Sequence, residues 1–132
     1  MERWLGRFAE LFYAALRIVA GVLFACHGAQ KLFGLLGGQT MTGDSAMLAA
    51  GLIEFVGGIL IALGLLAGWA AFVASGLMAA AYFMAHAPGG FWPIQNHGEL
   101  AVLYCFLFLF IAARGSGSIS LDAMLRRGRR RR

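Results

Sequence analysis

The chain has 132 residues, of which 61% are hydrophobic and 13% are charged, and its formal net charge is +5. Soluble domains are nearer to half apolar and a quarter charged, so this chain cannot bury its apolar residues inside a water-facing shell. Because a helical membrane span takes roughly 20 residues, the length leaves room for about four spans. Because four spans use most of this length, we expect no separate soluble catalytic domain.

Four apolar stretches follow one another along the chain. The sequence predicts membrane spans over residues 11–33, 46–66, 69–86 and 97–113, followed by a basic tail over 114–132. Glycine-rich or proline-rich segments separate the spans, at 37–44, 66–68 and 88–93. The prediction is one all-α domain over residues 1–132, an integral membrane four-helix bundle.

Basic residues are concentrated at the end of the chain. Six of the eleven lie in a run that begins at Arg126 and ends at Arg132. Such a run is typical of a cytoplasmic tail and of a segment that binds anionic lipid head groups. Since an even number of spans puts both termini on one side, we expect both in the cytoplasm. The run has no aromatic residue to stack on bases, so no nucleic-acid partner is expected.

Ionisable side chains inside the spans are informative, because each costs about 2.5 to 3.5 kcal/mol to insert and so needs a partner or a purpose. At 1.5 Å per residue, polar residues of all four spans fall at one level near the outer membrane edge. They are His27, Gln30, Lys31, Glu54, His86, Asn96, His97 and Glu99. We therefore expect them to converge.

Helical periodicity indicates which of these residues share a helix face and which of them can pair. Arg17, His27 and Lys31 fall on one face of the first span, and Glu54 shares its face with small residues that let helices approach closely. We expect Glu54 to pair with Lys31, with Arg17 as the alternative. Two interpretations stay open. Glu54 and Glu99 neutralise Arg17 and Lys31 in a structural network, or the same network also lines a functional pocket.

Five short motifs occur in a fixed order along the chain. They are Arg17-Ile18-Val19-Ala20-Gly21, His27-Gly28-Ala29-Gln30-Lys31-Leu32, Ile53-Glu54-Phe55-Val56-Gly57-Gly58, Gly98-Glu99-Leu100-Ala101 and the closing Gly115-Ser116-Gly117-Ser118-Ile119-Ser120-Leu121-Asp122. In this order they resemble the DoxX family of small four-helix membrane proteins. The resemblance implies a link to redox systems, since some members are subunits of quinone-linked sulfur oxidation and others associate with thiol-stress oxidoreductases.

The resemblance and the ionisable residues together favour a membrane subunit of a quinone-linked or thiol-linked oxidoreductase in a bacterial-type plasma (inner) membrane. A quinone needs an apolar slot with aromatic walls, a few donors and a carboxylate that delivers protons. We expect Glu54 and Glu99 to relay protons. The ligand-binding candidates are Arg17, His27, Lys31, Tyr82, His86 and His97. Electrons would come from a soluble or membrane redox partner protein, because no haem, flavin or iron–sulfur motif is present.

A different class of function is the alternative: a non-catalytic membrane anchor, scaffold or small transporter whose buried charges are structural. Metal binding is a further possibility, but the histidines and glutamates come from separate spans without a close-spaced ligand signature, so no metal site is predicted. Cys26 and Cys105 both lie in apolar stretches and are predicted to be unpaired.

Overall fold

Helices make up 79% of the structure, a computed structural model that describes residues 2–41 and 43–129. The helices are α1 (Glu2–Gly6), α2 (Ala9–Phe33), α3 (Ser45–Leu63), α4 (Ala67–Ala81), α5 (Pro93–Asn96), α6 (Glu99–Arg114) and α7 (Leu121–Arg129). A π-helical turn (Tyr82–His86) and a 3-10 turn (Ala87–Gly89) extend α4. No strand occurs within the described ranges, and the predicted all-α class is confirmed.

Three helical segments of the described chain are long and apolar enough to cross a membrane, where the sequence predicts four spans. They are Ala9–Phe33, Ser45–Leu63 and Ala67–Gly89. The fourth candidate, α6, has 16 residues. At 1.5 Å per residue it is about 24 Å long, against a bilayer core of about 30 Å. The bundle therefore contains one helix that is short for a span.

The corner between α3 and α4 begins earlier than predicted. The predicted span runs to residue 66, but α3 ends at Leu63 because Gly64 adopts a left-handed conformation with φ 69°. Leu66 is also left-handed, with φ 50°, and its amide donates to the Asp122 carboxylate at 2.9 Å. A side chain distant in sequence thus supports an unfavourable backbone conformation at this corner.

Glycines bring α2 and α3 into backbone contact. A Cβ atom on Gly28 would lie 2.3 Å from the Phe55 nitrogen, and one on Gly58 would lie 2.5 Å from the Ala25 nitrogen. Gly57, the neighbour of Gly58, has nothing within 4 Å of such an atom. The α2–α3 contact is therefore the small-residue type by which membrane helices approach closely.

Aromatic rings fill the centre of the bundle. The ring of Phe24 on α2 lies 4.7 Å from that of Phe108 on α6, and Phe108 stacks on Tyr104 at 5.1 Å. Ile61 on α3 and Ile111 on α6 complete this core and are 0% exposed. The short helix α6 is thus packed into the bundle by large apolar side chains.

The two ends of the bundle differ. The end that we call the loop end carries residues 34–41, 43–44 and 90–98, and the opposite end, the tail end, carries the α3–α4 corner and α7. The sequence predicts a polar tail over 114–132 but not the helix α7 within it. Residues 130–132 of the predicted lipid-binding run lie outside the described residues.

Candidate functional site

A partly buried ion pair joins α2 to α3. Lys31 Nζ donates to Glu54 Oε1 at 2.5 Å, and their side chains are 27% and 3% exposed. The predicted pairing of Glu54 with Lys31 is confirmed. The other carboxylate oxygen, Oε2, is buried and has no hydrogen-bond partner among the described residues. This carboxylate therefore holds one acceptor that the described protein groups do not use.

Small residues and a returning loop position this pair. A Cβ atom on Gly51 would lie 3.2 Å from Lys31 Cβ, so α3 passes close to the base of the lysine side chain. Lys31 also lies in the last turn of α2, where the helix dipole favours a cation. The Met41 amide donates to the Lys31 carbonyl at 2.9 Å, and the Gln30 side chain donates to the Leu36 carbonyl at 3.1 Å. The loop that follows α2 is thereby tied back to its last turn.

Three other predicted members of the pocket point away from the interior. His27 is exposed because Gly28 and Ala29 occupy the buried side of α2. Glu99 is exposed in the first turn of α6, and His97, with φ 59°, is exposed after α5. The predicted convergence of all these side chains is wrong, since helical periodicity cannot tell which side of a partly polar helix faces the bundle.

Tyr82, His86 and Asn96 form a second cluster at the loop end. His86 Nδ1 lies 3.1 Å from the Asn96 carbonyl oxygen, and the Tyr82 hydroxyl donates to the Phe91 carbonyl. Asn96 is buried, and its amide donates to the Gly90 carbonyl at 2.6 Å. The structure thus brings together Tyr82 and His86, two of the ligand-binding candidates predicted from the sequence. It adds Asn96, which the sequence places at this level but not among the site residues.

The π-helical turn explains how this cluster forms. Its wider turn spans residues from Tyr82 to His86, and such turns are frequent at functional sites. The rings of Tyr82 and His86 stack with their centroids 6.5 Å apart. Sequence periodicity assumes 3.6 residues per turn throughout and therefore gives no signal for this change of register.

Arg17 belongs to the tail end and not to the predicted pocket. It is 1% exposed, and its guanidinium donates to the carbonyls of Ile61, of Ala62 at 2.8 Å and of Ile119 at 2.9 Å. Lys31 is about four helical turns away along α2, roughly 21 Å. The expectation that a glutamate neutralises Arg17 is wrong. Two of its partners are carbonyls at the carboxyl end of α3, where the helix dipole favours a cation, and the third is the Ile119 carbonyl in the segment before α7.

Two carboxylates close the tail end. Asp122 accepts from the Leu66 amide at 2.9 Å, while its own amide donates to the Gly64 carbonyl at 3.1 Å. Glu10, at the start of α2, accepts from the Ser118 amide at 3.1 Å and hydroxyl at 2.7 Å. The closing motif over 115–122 therefore ties α2, the α3–α4 corner and α7 together.

An apolar groove of about 320 Å³ runs between α2 and α3, the helices that carry the ion pair. Cys26, Ala29, Phe55 and Ile59 are among the residues that line it. Cys26 and Cys105 both have free thiols. Within residues 2–41 and 43–129, no three His, Cys, Asp or Glu side chains are grouped as metal ligands.

Comparison with known proteins assigns the family. The DoxX family model matches residues 12–87, which is more than half of the chain. The chain belongs to the DoxX family. An uncharacterized protein of Haemophilus influenzae is 44% identical to this DoxX protein over 125 residues, covering 89% of this chain and 93% of the relative. No solved structure matches the chain.

The matched region of this DoxX protein contains both buried charged groups. Arg17 and the Lys31–Glu54 pair all lie within residues 12–87, whereas Glu99 and Asp122 lie beyond them. The match therefore covers the α2–α3 contact and the ion pair that it encloses.

Proposed function

We propose that this integral membrane protein is the membrane subunit of a quinone-linked or thiol-linked oxidoreductase system, in which Glu54 exchanges protons. The observation that carries the proposal is the buried Glu54 carboxylate, held by Lys31 through one oxygen and without a described partner on the other. Ionisable groups within membrane spans are expensive and are usually functional. The free acceptor is the place where a proton would bind.

The proposal includes four spans, with α6 as the fourth. Phe108 and Ile111 of α6 are 0% exposed, so this helix is part of the central packing. Its shortness is accommodated by local thinning of the bilayer or by residues that flank it. Arg114, Arg126 and Arg127 lie at or beyond the end of α6 on the tail side, which favours a cytoplasmic tail end with both termini there. We propose that the membrane is a bacterial-type inner membrane.

We place the quinone ring in the α2–α3 groove, with its carbonyl end toward Lys31 and Glu54, which lie outside the groove lining. The groove is apolar and includes an aromatic wall at Phe55, and Lys31 and Glu54 belong to the same helix pair. We expect Lys31 to donate a hydrogen bond to a quinone carbonyl and Glu54 to hold or pass a proton. A partner protein oxidising two thiols to a disulfide would supply the two electrons and two protons that reduction of a quinone consumes.

The test is paired measurement of stability and quinone binding in purified full-length protein. Decylubiquinone is expected to raise the unfolding temperature of wild type and of Glu99→Gln, an exposed control with the same chemical change. Glu54→Gln is expected to fold but to lose the stabilisation. The proposal is contradicted if decylubiquinone fails to stabilise wild type, or if both variants lose the stabilisation.

A structural anchor or scaffold is the second candidate, and Arg17 is the observation that favours it. This fully buried charge donates from its two terminal nitrogens to main-chain carbonyls, while its Nε has no described partner, and no carboxylate pairs with it among the described residues. If every variant of Lys31 and Glu54 that loses quinone binding also unfolds, the pair has the same architectural role. A structural anchor or scaffold is then the better description of the protein's function.

Reporter fusions test the orientation. A reporter that is active only in the cytoplasm is expected to work when it is fused after Arg132, and equally when it precedes the first residue of the chain. Activity at one terminus alone means an odd number of spans and excludes α6 as a fourth span.

A further inference from the structure

The helix α7 presents separate apolar and basic surfaces. Leu121, Met124 and Leu125 recur at i, i+3 and i+4 and therefore share one face. Met124 is 65% exposed and Leu125 is 61% exposed. Arg129 lies beside this face, and Arg126 lies roughly 100° round the helix from Leu125. Such a helix is typical of the membrane interface, where apolar side chains enter the acyl region and arginines remain at the head groups.

Two grooves flank α7. One, of about 750 Å³, is bounded by the α3–α4 corner and by the apolar face of α7, and its lining includes Leu65, Leu66, Met124 and Leu125. The other, of about 610 Å³, has a basic lining that includes Arg114, Arg126, Arg127 and Arg129 along the glycine-rich segment 115–117. Arg126 and Arg129 line both grooves. The linings of the apolar groove and of the basic groove thus share two arginines.

Contacts at the start of α7 hold these grooves in place. Asp122 binds the Leu66 amide at 2.9 Å and the Ser116 hydroxyl at 2.5 Å, so the first turn of α7 is fixed to the bundle. Both hydrogen bonds engage the same carboxylate oxygen, Oδ2. Trp69, in the first turn of α4, is 76% exposed at the same end, as expected for an aromatic residue at a membrane interface.

We propose that α7 and the α3–α4 corner bind an anionic phospholipid. Its acyl chain lies in the groove between Leu66 and Leu125, and its phosphate binds Arg126 and Arg129. The chemistry of the two grooves matches the two parts of such a lipid, because one is apolar and the other has four arginines in its lining. The site needs only a membrane at the tail end and does not depend on quinone chemistry.

Native mass spectrometry of the full-length protein in detergent tests this site. Phosphatidylglycerol is added to wild type, to Arg126→Gln/Arg129→Gln and to the control Arg3→Gln/Arg7→Gln, which removes the same charge from the exposed helix α1 and the residue after it. Each arginine at an anionic lipid surface contributes about fivefold in affinity, so the first double variant is expected to lose about 25-fold. The control is expected to change less than twofold.

Further lipids and variants separate a lipid site from a phosphate site. Phosphatidylcholine is expected to bind weakly to all three proteins, and inorganic phosphate is expected not to displace phosphatidylglycerol at equal concentration. Met124→Gln/Leu125→Gln is expected to weaken phosphatidylglycerol binding, whereas Met84→Gln, an exposed methionine at the loop end, leaves it unchanged. Equal losses in the two arginine variants, or displacement by phosphate, would overturn the proposal. Unchanged thermal unfolding shows that each variant folds.

Discussion

The Lys31–Glu54 pair predicts an asymmetry between its two partners. Glu54 is 3% exposed and Lys31 is 27% exposed, so the lysine can extend its ammonium toward water when its partner is lost, but the carboxylate cannot. Lys31→Met leaves a buried charge without compensation and is expected to cost about 3 to 5 kcal/mol. Glu54→Gln leaves a lysine that reaches solvent, together with a buried amide, and is expected to cost about 1 to 2 kcal/mol.

A double-mutant cycle gives the size of the interaction. Because both single variants break the same contact, Lys31→Met/Glu54→Gln is expected to be more stable than Lys31→Met alone, with a coupling energy of about 2 to 3 kcal/mol. Unfolding in mixed micelles of increasing dodecyl sulfate content measures each free energy. The pair between Glu10 and Arg114, whose side chains are 50% and 34% exposed, is the matched control and is expected to show much weaker coupling.

Two results would refute this reasoning. If Glu54→Gln costs as much as Lys31→Met, exposure of the lysine does not set the asymmetry. If the two single effects simply add, the ion pair contributes nothing as a pair, and burial of Glu54 needs another explanation.

Three further predictions concern other contacts. Gly58→Ala is expected to destabilise the protein by about 1 to 3 kcal/mol because its Cβ meets the α2 backbone, whereas Gly57→Ala, with open space, is expected to be neutral or stabilising in the same unfolding assay. Arg17→Lys is expected to lower the unfolding temperature, since an ammonium group cannot replace a planar guanidinium that bonds three carbonyls; an unchanged temperature would contradict this. Cys26 and Cys105 are expected to label equally with and without reductant after denaturation, and reductant-dependent labelling would reveal a disulfide.

The sequence predicted the helical class and the Lys31–Glu54 pair because both depend on local signals. Long apolar runs determine where α2, α3 and α4 lie, and a lone carboxylate on a small-residue face has few possible partners. Burial of Glu54 follows from the same face. The α3–α4 corner was placed three residues late, because Gly64 ends the helix while apolar residues continue to Leu66.

Other parts of the site depend on contacts that no local pattern contains. Arg17 donates to the carbonyls of Ile61 and Ile119, which are remote in sequence and carry no side-chain signal. The outward position of His27 depends on which face of α2 the glycines present to α3. The π-helical turn changes the register of α4 where a constant period is assumed.

The backbone contact between α2 and α3 also bears on how the chain enters the bilayer. These helices are consecutive, and each carries one charge of the Lys31–Glu54 pair. They can therefore leave the translocation machinery as a hairpin whose charges already cancel, before later helices are synthesised. Arg17 differs, because one of its carbonyl partners, Ile119, lies near the end of the chain. Its side chain reaches its final environment only after Ile119 has been synthesised, so the tail end closes later than the α2–α3 hairpin forms.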